Sequence, residues 1–290
     1  VRLVRDCRLG LKLKSEISDL KSPRRQALAN TWNAAAYAAN SAVQQSWARE
    51  LIGQINLHGD EHILDVGCGD GKVSAEIARA VPHGSVTGID ASAEMIRFAQ
   101  KTFPPAEIPN LTFHLANAHE IHTPHQLDLI FSNAALHWVD DHEQFLQNAA
   151  KVLKPRGRLA ISCGGQGNAH EVFLALRPEM RLKRWCQFFR KMPLPYFFYA
   201  PSDYEKWLTQ FGFKINRLEL TPKIVAHAGA EGFATWLRTT WLPFVQRVPE
   251  NLREEFIAAV TARYLAKHPL TADGQVHVRM VRLEIEAQKF

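Results

Sequence analysis

The sequence is poor in cysteine and has no long apolar run, and each shortage closes off a class of protein. Four cysteines in 290 residues (Cys7, Cys68, Cys163 and Cys186) lie far apart, with neither paired metal-ligand spacing nor a disulfide framework. They are expected to be reduced thiols of a cytoplasmic protein. No stretch approaches the ~20 apolar residues that a membrane helix needs. The N-terminal region is rich in Arg and Lys but lacks the continuous apolar core of a secretory signal; residues 1–29 are expected to be a loosely ordered extension. No repeat or low-complexity tract is evident. A net charge of +6 permits nucleic acid, acidic membrane or small anionic partners and selects none of them.

What is present is an alternation of short apolar runs with helical patterns, the signature of β-α units and a parallel sheet. His62–Val66 reads as a first strand. Val73, Ile77, Ala78 and Val81 follow at helical spacing. Ser85–Ile89 is a second strand ending in Asp90, and Ser92 is placed to cap the next helix. Strands three and four are expected at Leu111–His114 and Leu127–Asn133. A helix with the apolar stripe Phe145, Leu146, Ala149, Val152 and Leu153 comes next, then a turn at 154–157 and a fifth strand at 158–163. Residues 164–210 show no clean pattern. Strand character returns at 213–220, amphipathic helices are expected near 230–245 and 251–268, and a last strand near 276–286. The fold class is α/β: a Rossmann-like, seven-stranded, mostly parallel sheet with helices on both faces and a helical cap insertion. The cofactor-binding core would span 30–163 with an N-terminal lid helix; 164–290 would supply the cap and the last strands.

The strongest chemical signal is Asp65-Val66-Gly67-Cys68-Gly69-Asp70-Gly71. Its glycines allow a sharp turn after strand one and close approach to a ligand, and the following helix start offers free N–H groups. The spacing is G-x-G-x-G, not the G-x-G-x-x-G of dinucleotide sites. Asp65 would also repel a pyrophosphate. Both features favour a ligand with an ammonium group, which Asp65 could meet. Asp90, ending strand two, could accept both hydroxyls of a ribose, with Ala91 beside it. Asn117-Ala118 follows strand three, where an adenine edge would lie; the Asn could pair with it, or simply form a turn.

These residues resemble the class I S-adenosylmethionine-dependent methyltransferases across Glu61–Cys163. Many of that family have Asp at the adenine position, where this chain has Asn117. Further residues, Trp32-Asn33, Tyr37, Gln44 and Trp47 before strand one, Ser132–Trp138 ending strand four and Trp236–Thr240 opening a late helix, resemble trans-aconitate methyltransferases over roughly 30–290. The malonyl-carrier-protein methyltransferase of biotin synthesis shares the strand-four motif. The resemblance implies S-adenosylmethionine as cofactor, held by Gln44, Asp65, Gly67, Cys68, Gly69, Asp90, Ala91, Asn117, Ala118 and Asn133. It implies a small carboxylate as acceptor, contacted by Trp32, Tyr37 and Arg238, with His137 and Trp138 at the reacting centre. A carboxylate is already ionised near neutral pH, so methyl-ester formation needs no general base, and alignment with exclusion of water would carry catalysis.

Other readings stand lower. Methylation of a nucleic-acid base usually comes with an Asn/Asp-Pro-Pro-aromatic motif after strand four, and Asn133-Ala134-Ala135-Leu136 lacks both prolines; no nucleic-acid partner is expected. The basic group Arg177, Arg181, Lys183, Arg184, Arg190 and Lys191 reads first as a solvated face. His119, His122 and His125 lack ligand-like partners and are expected at the surface, and no metal is expected. A non-catalytic scaffold that binds the cofactor or has lost it is the remaining alternative, and intact Asp65, Gly67, Gly69 and Asp90 argue against loss of binding.

Overall fold

The computed structural model describes Ala34, Ala38 and residues 41–290, except 122 and 124. The expectations for residues 1–29, Trp32, Asn33, Tyr37 and His122 lie outside these described residues.

Seven strands form one sheet in the order β3-β2-β1-β4-β5-β7-β6. They are β1 (His62–Val66), β2 (Ser85–Asp90), β3 (Leu111–Leu115), β4 (Leu127–Asn133), β5 (Leu153–Gly164), β6 (Phe213–Ala228) and β7 (Gln275–Lys289). β1 to β5 pair in parallel and β7 runs antiparallel to β5. The central strands are nearly continuous apolar runs because both faces of a parallel sheet are covered. Alternate residues then go to opposite layers. Leu64, Val66 and Ile130 pack with Phe145, Leu146 and Ala149 of a helix at His142–Val152 and with Tyr204 and Leu208 of one at Pro201–Gln210. Ile63, Leu129 and Phe131 face the other way. They meet helix α1 (Ala42–Gln54), helix α2 (Lys72–Ala80) and helix α3 (Ala93–Thr102) through Ala48, Leu51, Ala75, Ile77, Ile96 and Ala99.

Three local departures from the sequence reading have physical causes. The expected turn at 154–157 is a bulge inside β5: Leu153 pairs with Leu127 and Arg158 with Leu129, so four residues loop out against one. Arg156 there takes a positive φ of 65°. The region 164–210 contains helices at His170–Arg181 and Pro201–Gln210. The first holds Pro178 in its interior, a residue that argues against helix in any pattern reading. The single helix expected at 230–245 is two, Gly229–Thr240 and Leu242–Val245. Pro243 lacks the N–H a continuing helix would use and its ring would clash with the carbonyl four residues earlier.

The chain divides into two compact units. The sheet unit takes the described residues through 168 together with 196–223 and 280–290. The second, largely helical unit takes 169–195 and 224–279. Within it the helix Glu250–Leu265 packs on His170–Arg181 and Gly229–Thr240. Tyr264 stacks on Phe233 at 4.6 Å, and Arg263 Nε donates to Glu179 Oε1 at 2.6 Å. No helix among the described residues is long and apolar enough to cross a membrane.

Candidate active site

The loop after β1 is built to bring backbone close to a ligand. Gly67, Gly69 and Gly71 all take positive φ, 77°, 54° and 82°. A Cβ on Gly71 would lie 2.8 Å from the Phe113 ring and 2.9 Å from the Ala99 methyl, so only glycine fits the start of α2. The loop is pinned to the end of β2: Gly67 N and Cys68 N both donate to Ile89 O, at 2.7 and 3.0 Å. Asp90 completes the clamp, accepting from Gly69 N at 3.0 Å through Oδ2 and from Ser92 N at 2.8 Å through Oδ1. The Ser92 hydroxyl caps α3, accepting from Met95 N.

Three carboxylates converge here. Asp65 is 2% exposed and accepts from Ser74 Oγ at 2.6 Å. Burial, with Asp90 and Asp70 nearby, pushes its carboxyl up to about 7 against the relief given by Ser74. Burial raises Asp90 as well, opposed by its two backbone donors. Asp70 accepts from Ser41 Oγ at 3.2 Å and pairs with Lys72 Nζ at 3.2 Å, and Lys72 Nζ also donates to Ala38 O at 2.5 Å.

Between this loop and α1 lies an open cavity of about 420 Å³ lined by Gln44, Asp65, Gly67, Cys68, Gly69 and Asn133 among others. Gln44 Oε1 is buried there with no hydrogen-bond partner among the described residues. Asn133 Nδ2 donates to Gln44 O at 2.9 Å. Thus six of the expected cofactor residues line one cavity, and Asp90, outside that lining, accepts from one of them, Gly69. Ala91 and Asn117 are exposed at the neighbouring strand ends, and Ala118 is half-buried against the core. Asn117 O accepts from Glu120 N at 2.9 Å in a turn.

After β4 the chain makes a 3-10 turn, Leu136–Trp138. Four rings gather around it: His137 lies 5.5 Å from Trp138, 6.2 Å from Tyr196 and 6.0 Å from Phe198, and Tyr196 stacks on Phe198. Gly164 N donates to His137 Nδ1 at 3.3 Å, which leaves the proton of the neutral ring on Nε2. Burial, then the charge of Arg282, hold the imidazole down to about 3. His142 beneath the turn is also neutral, down to about 4 by burial, its Nε2 donating to Leu136 O at 2.7 Å.

Comparison with known proteins gives the site its context. A family model described as "Methyltransferase domain" matches residues 57–212, more than half of the chain. The trans-aconitate 2-methyltransferase of Rhodopseudomonas palustris strain BisA53 is 30% identical over 89% of this chain and 99% of its own length. This chain belongs to the class I S-adenosylmethionine-dependent methyltransferases. It is related to the trans-aconitate 2-methyltransferases, and a methyltransferase of Schizosaccharomyces pombe described as uncharacterized is 31% identical over 89% of this chain and 98% of its own. Among solved structures, a phosphoethanolamine N-methyltransferase of Haemonchus contortus holding S-adenosylhomocysteine superposes with a TM-score of 0.55 at 16% identity. It matches 91% of this chain and 58% of its own.

The methyltransferase's cofactor is S-adenosylmethionine, and the cavity fits it. A buried acid trio suits an ammonium and a sulfonium, the glycine turn suits close approach, and the orphaned Gln44 oxygen awaits a donor. Arg238 is not among the residues that line the cavity. It lies in the helical unit, where its guanidinium meets Glu254 through two hydrogen bonds, 2.9 and 2.7 Å, with Thr235 and Glu231 also in reach. Of the basic group, Arg184 pairs with Glu255 and Arg177 lies over Phe173 at 5.4 Å. His125 is exposed, whereas His119 is half-buried 3.3 Å from Asp140. No group of three potential metal ligands occurs among the described residues.

The sequence reading did not single out Ser41, Lys72, Ser74, Tyr196, Phe198 or Arg282. Ser74 and Lys72 follow the glycine loop so closely that their nearness had a sequence signal. The others come from segments far along the chain, and only the fold brings them here.

Proposed function

We propose that this methyltransferase esterifies a small carboxylic acid related to trans-aconitate. The observation that carries the reading is His137: a neutral ring with its Nδ1 already occupied, among aromatic side chains, on the loop that begins at the cavity residue Asn133. Such a ring donates a hydrogen bond from Nε2 and is too weak a base to deprotonate an alcohol or ammonium at neutral pH. A carboxylate acceptor needs the donor and does not need the base.

When bound, S-adenosylmethionine supplies an electrophilic methyl on a sulfonium that leaves as a neutral thioether. The chain's residues do the rest. Asp65 would receive the ammonium of the amino-acid end, and Asp90 with Ala91 would receive the ribose. Asn117 and Ala118 edge the adenine. Gln44, Cys68 and Asn133 would line the cofactor's cavity, and Trp32 and Tyr37 belong to the acceptor side of the same reading. His137 orients one acceptor oxygen, and Trp138 with Tyr196 and Phe198 excludes water, so that alignment and desolvation lower the barrier. The free thiols Cys68, Cys163 and Cys186 support a cytoplasmic setting.

A panel of trans-aconitate, other tricarboxylates, malonyl thioesters, alcohols and amines, read as S-adenosylhomocysteine released, tests the proposal. Carboxylates should turn over and give base-labile methyl esters. Turnover confined to amines, alcohols or RNA would overturn it. Preference for malonyl thioesters would shift the acceptor to the thioester class within the same chemistry.

A further inference from the structure

Arg282 on β7 is 3% exposed. Burying a guanidinium is costly unless its donors are satisfied. Here Nε donates to Ser162 Oγ at 3.1 Å, and Nη2 donates to Ser162 Oγ at 2.9 Å, to Ser162 O and to Asn133 Oδ1 at 3.1 Å. Ser162 is buried on β5, so the planar fork is bolted to the sheet.

The other side of the group faces α1. Its carbon lies 4.7 Å from the centre of the Trp47 ring, in a cation–π contact. Asn133 relays the same guanidinium to α1 by donating Nδ2 to Gln44 O at 2.9 Å. Gln44 and Trp47 are three residues apart and therefore on one face of the helix. That face carries the unpartnered Gln44 Oε1 into the cavity. Other side chains of α1 tie it down away from that face: Gln45 Nε2 donates to Glu76 Oε1 at 2.5 Å and Gln54 Oε1 accepts from Arg217, and two ion pairs are exposed. Arg49 pairs with Glu76 with the Arg side chain 63% exposed, and Glu50 pairs with Lys223 at 49% exposure. Exposed pairs of this sort contribute little.

We propose that Arg282 is a positioning residue that latches α1 against the cofactor cavity, holding Asn133 and Gln44 at the wall where S-adenosylmethionine binds. The latch depends on the planar fork. A lysine keeps the charge but cannot bond Ser162 and Asn133 while lying flat on Trp47. The inference rests on the cofactor and not on the identity of the acceptor, so cofactor binding is its readout.

The test is calorimetric binding of S-adenosylhomocysteine to Arg282→Met, Arg282→Lys, Trp47→Leu and the Met/Leu double variant, with hydrogen exchange followed by element. Arg282→Met should bind at least tenfold more weakly and Arg282→Lys should fall between it and the parent. Amides of α1 should exchange faster while those of β4 and β5 keep their protection. The double variant should lose less than the two single losses combined, because both break one latch. Unchanged affinity in a folded Arg282→Met would overturn the proposal. So would full rescue by lysine, or equal loosening of β4, β5 and α1. Should the Met variant fail to fold, Arg282→Lys and Trp47→Leu carry the same comparison.

Discussion

Gly67 packs so tightly beneath Ala135 that a Cβ at position 67 would lie 2.1 Å from the Ala135 methyl carbon. The contact ties the glycine loop of β1 to the turn after β4, so that loop and the His137 turn share one backbone junction.

Gly67→Ala should therefore damage both. Its φ of 77° is poorly tolerated by a residue with a Cβ, and the clash adds overpacking of roughly 1–3 kcal/mol. Denaturant unfolding should show a loss of that order, and S-adenosylhomocysteine affinity should drop at least tenfold. A variant with parental stability and affinity would mean the junction is slack.

Asp65 should make the stability of the cofactor-free protein depend on pH. Its folded value of about 7 lies above the ordinary 3.8, so the folded state holds the proton more tightly. Its contribution is fullest in acid below the ordinary value, falls as pH rises from about 4 to 7, and is flat beyond. The total change is on the order of a few kcal/mol. Asp65→Asn should flatten that limb of the stability profile. The cationic cofactor favours the ionised form, so its affinity should rise with pH through the same window. An affinity that falls with pH would contradict the assignment.

Asp90→Ala should cost more than cofactor contacts. The carboxylate also satisfies Gly69 N and Ser92 N, and each charge-assisted bond is worth roughly 1.5–3 kcal/mol. Calorimetry should show at least a hundredfold weaker binding of S-adenosylhomocysteine, with a smaller loss in folding stability. Loss of stability with intact affinity would confine Asp90 to bracing the loop.

His137 should act without titrating. Held down to about 3, it is neutral from pH 5 to 9. His137→Ala should lower kcat/KM for the acceptor by 10- to 100-fold, about the worth of one hydrogen bond to a charged group. The affinity for S-adenosylhomocysteine should be unchanged. The ratio of parent to variant should stay constant from pH 5.5 to 9; a tenfold change near 6.5 would show a titrating histidine. Unfolding frees this ring to take up a proton below pH 6.5, so its contribution to stability falls from that value toward acid.

The core strands were legible because each is a short, dense apolar run bounded by turn residues. Asp65–Gly71 was legible because its turn is local: seven neighbouring residues make it. The bulge at 154–157 and the helix through Pro178 were not, since both are local violations that only packing sustains. Arg282 carried no signal, because within a strand of alternating apolar and charged residues it reads as one more solvent-facing cation.

The sequence by itself determined the core strands, the glycine loop and the acids at the ends of β1 and β2, since hydrophobic period and backbone permissiveness act over a few residues. Only the tertiary structure decided which distant side chains meet the loop. Ser162, Arg282, Asn133 and Gln44 join strands and a helix separated by up to 238 positions, and Tyr196 and Phe198 return to His137 from beyond a helical segment. Such meetings depend on strand order, and strand order is a property of the folded sheet as a whole.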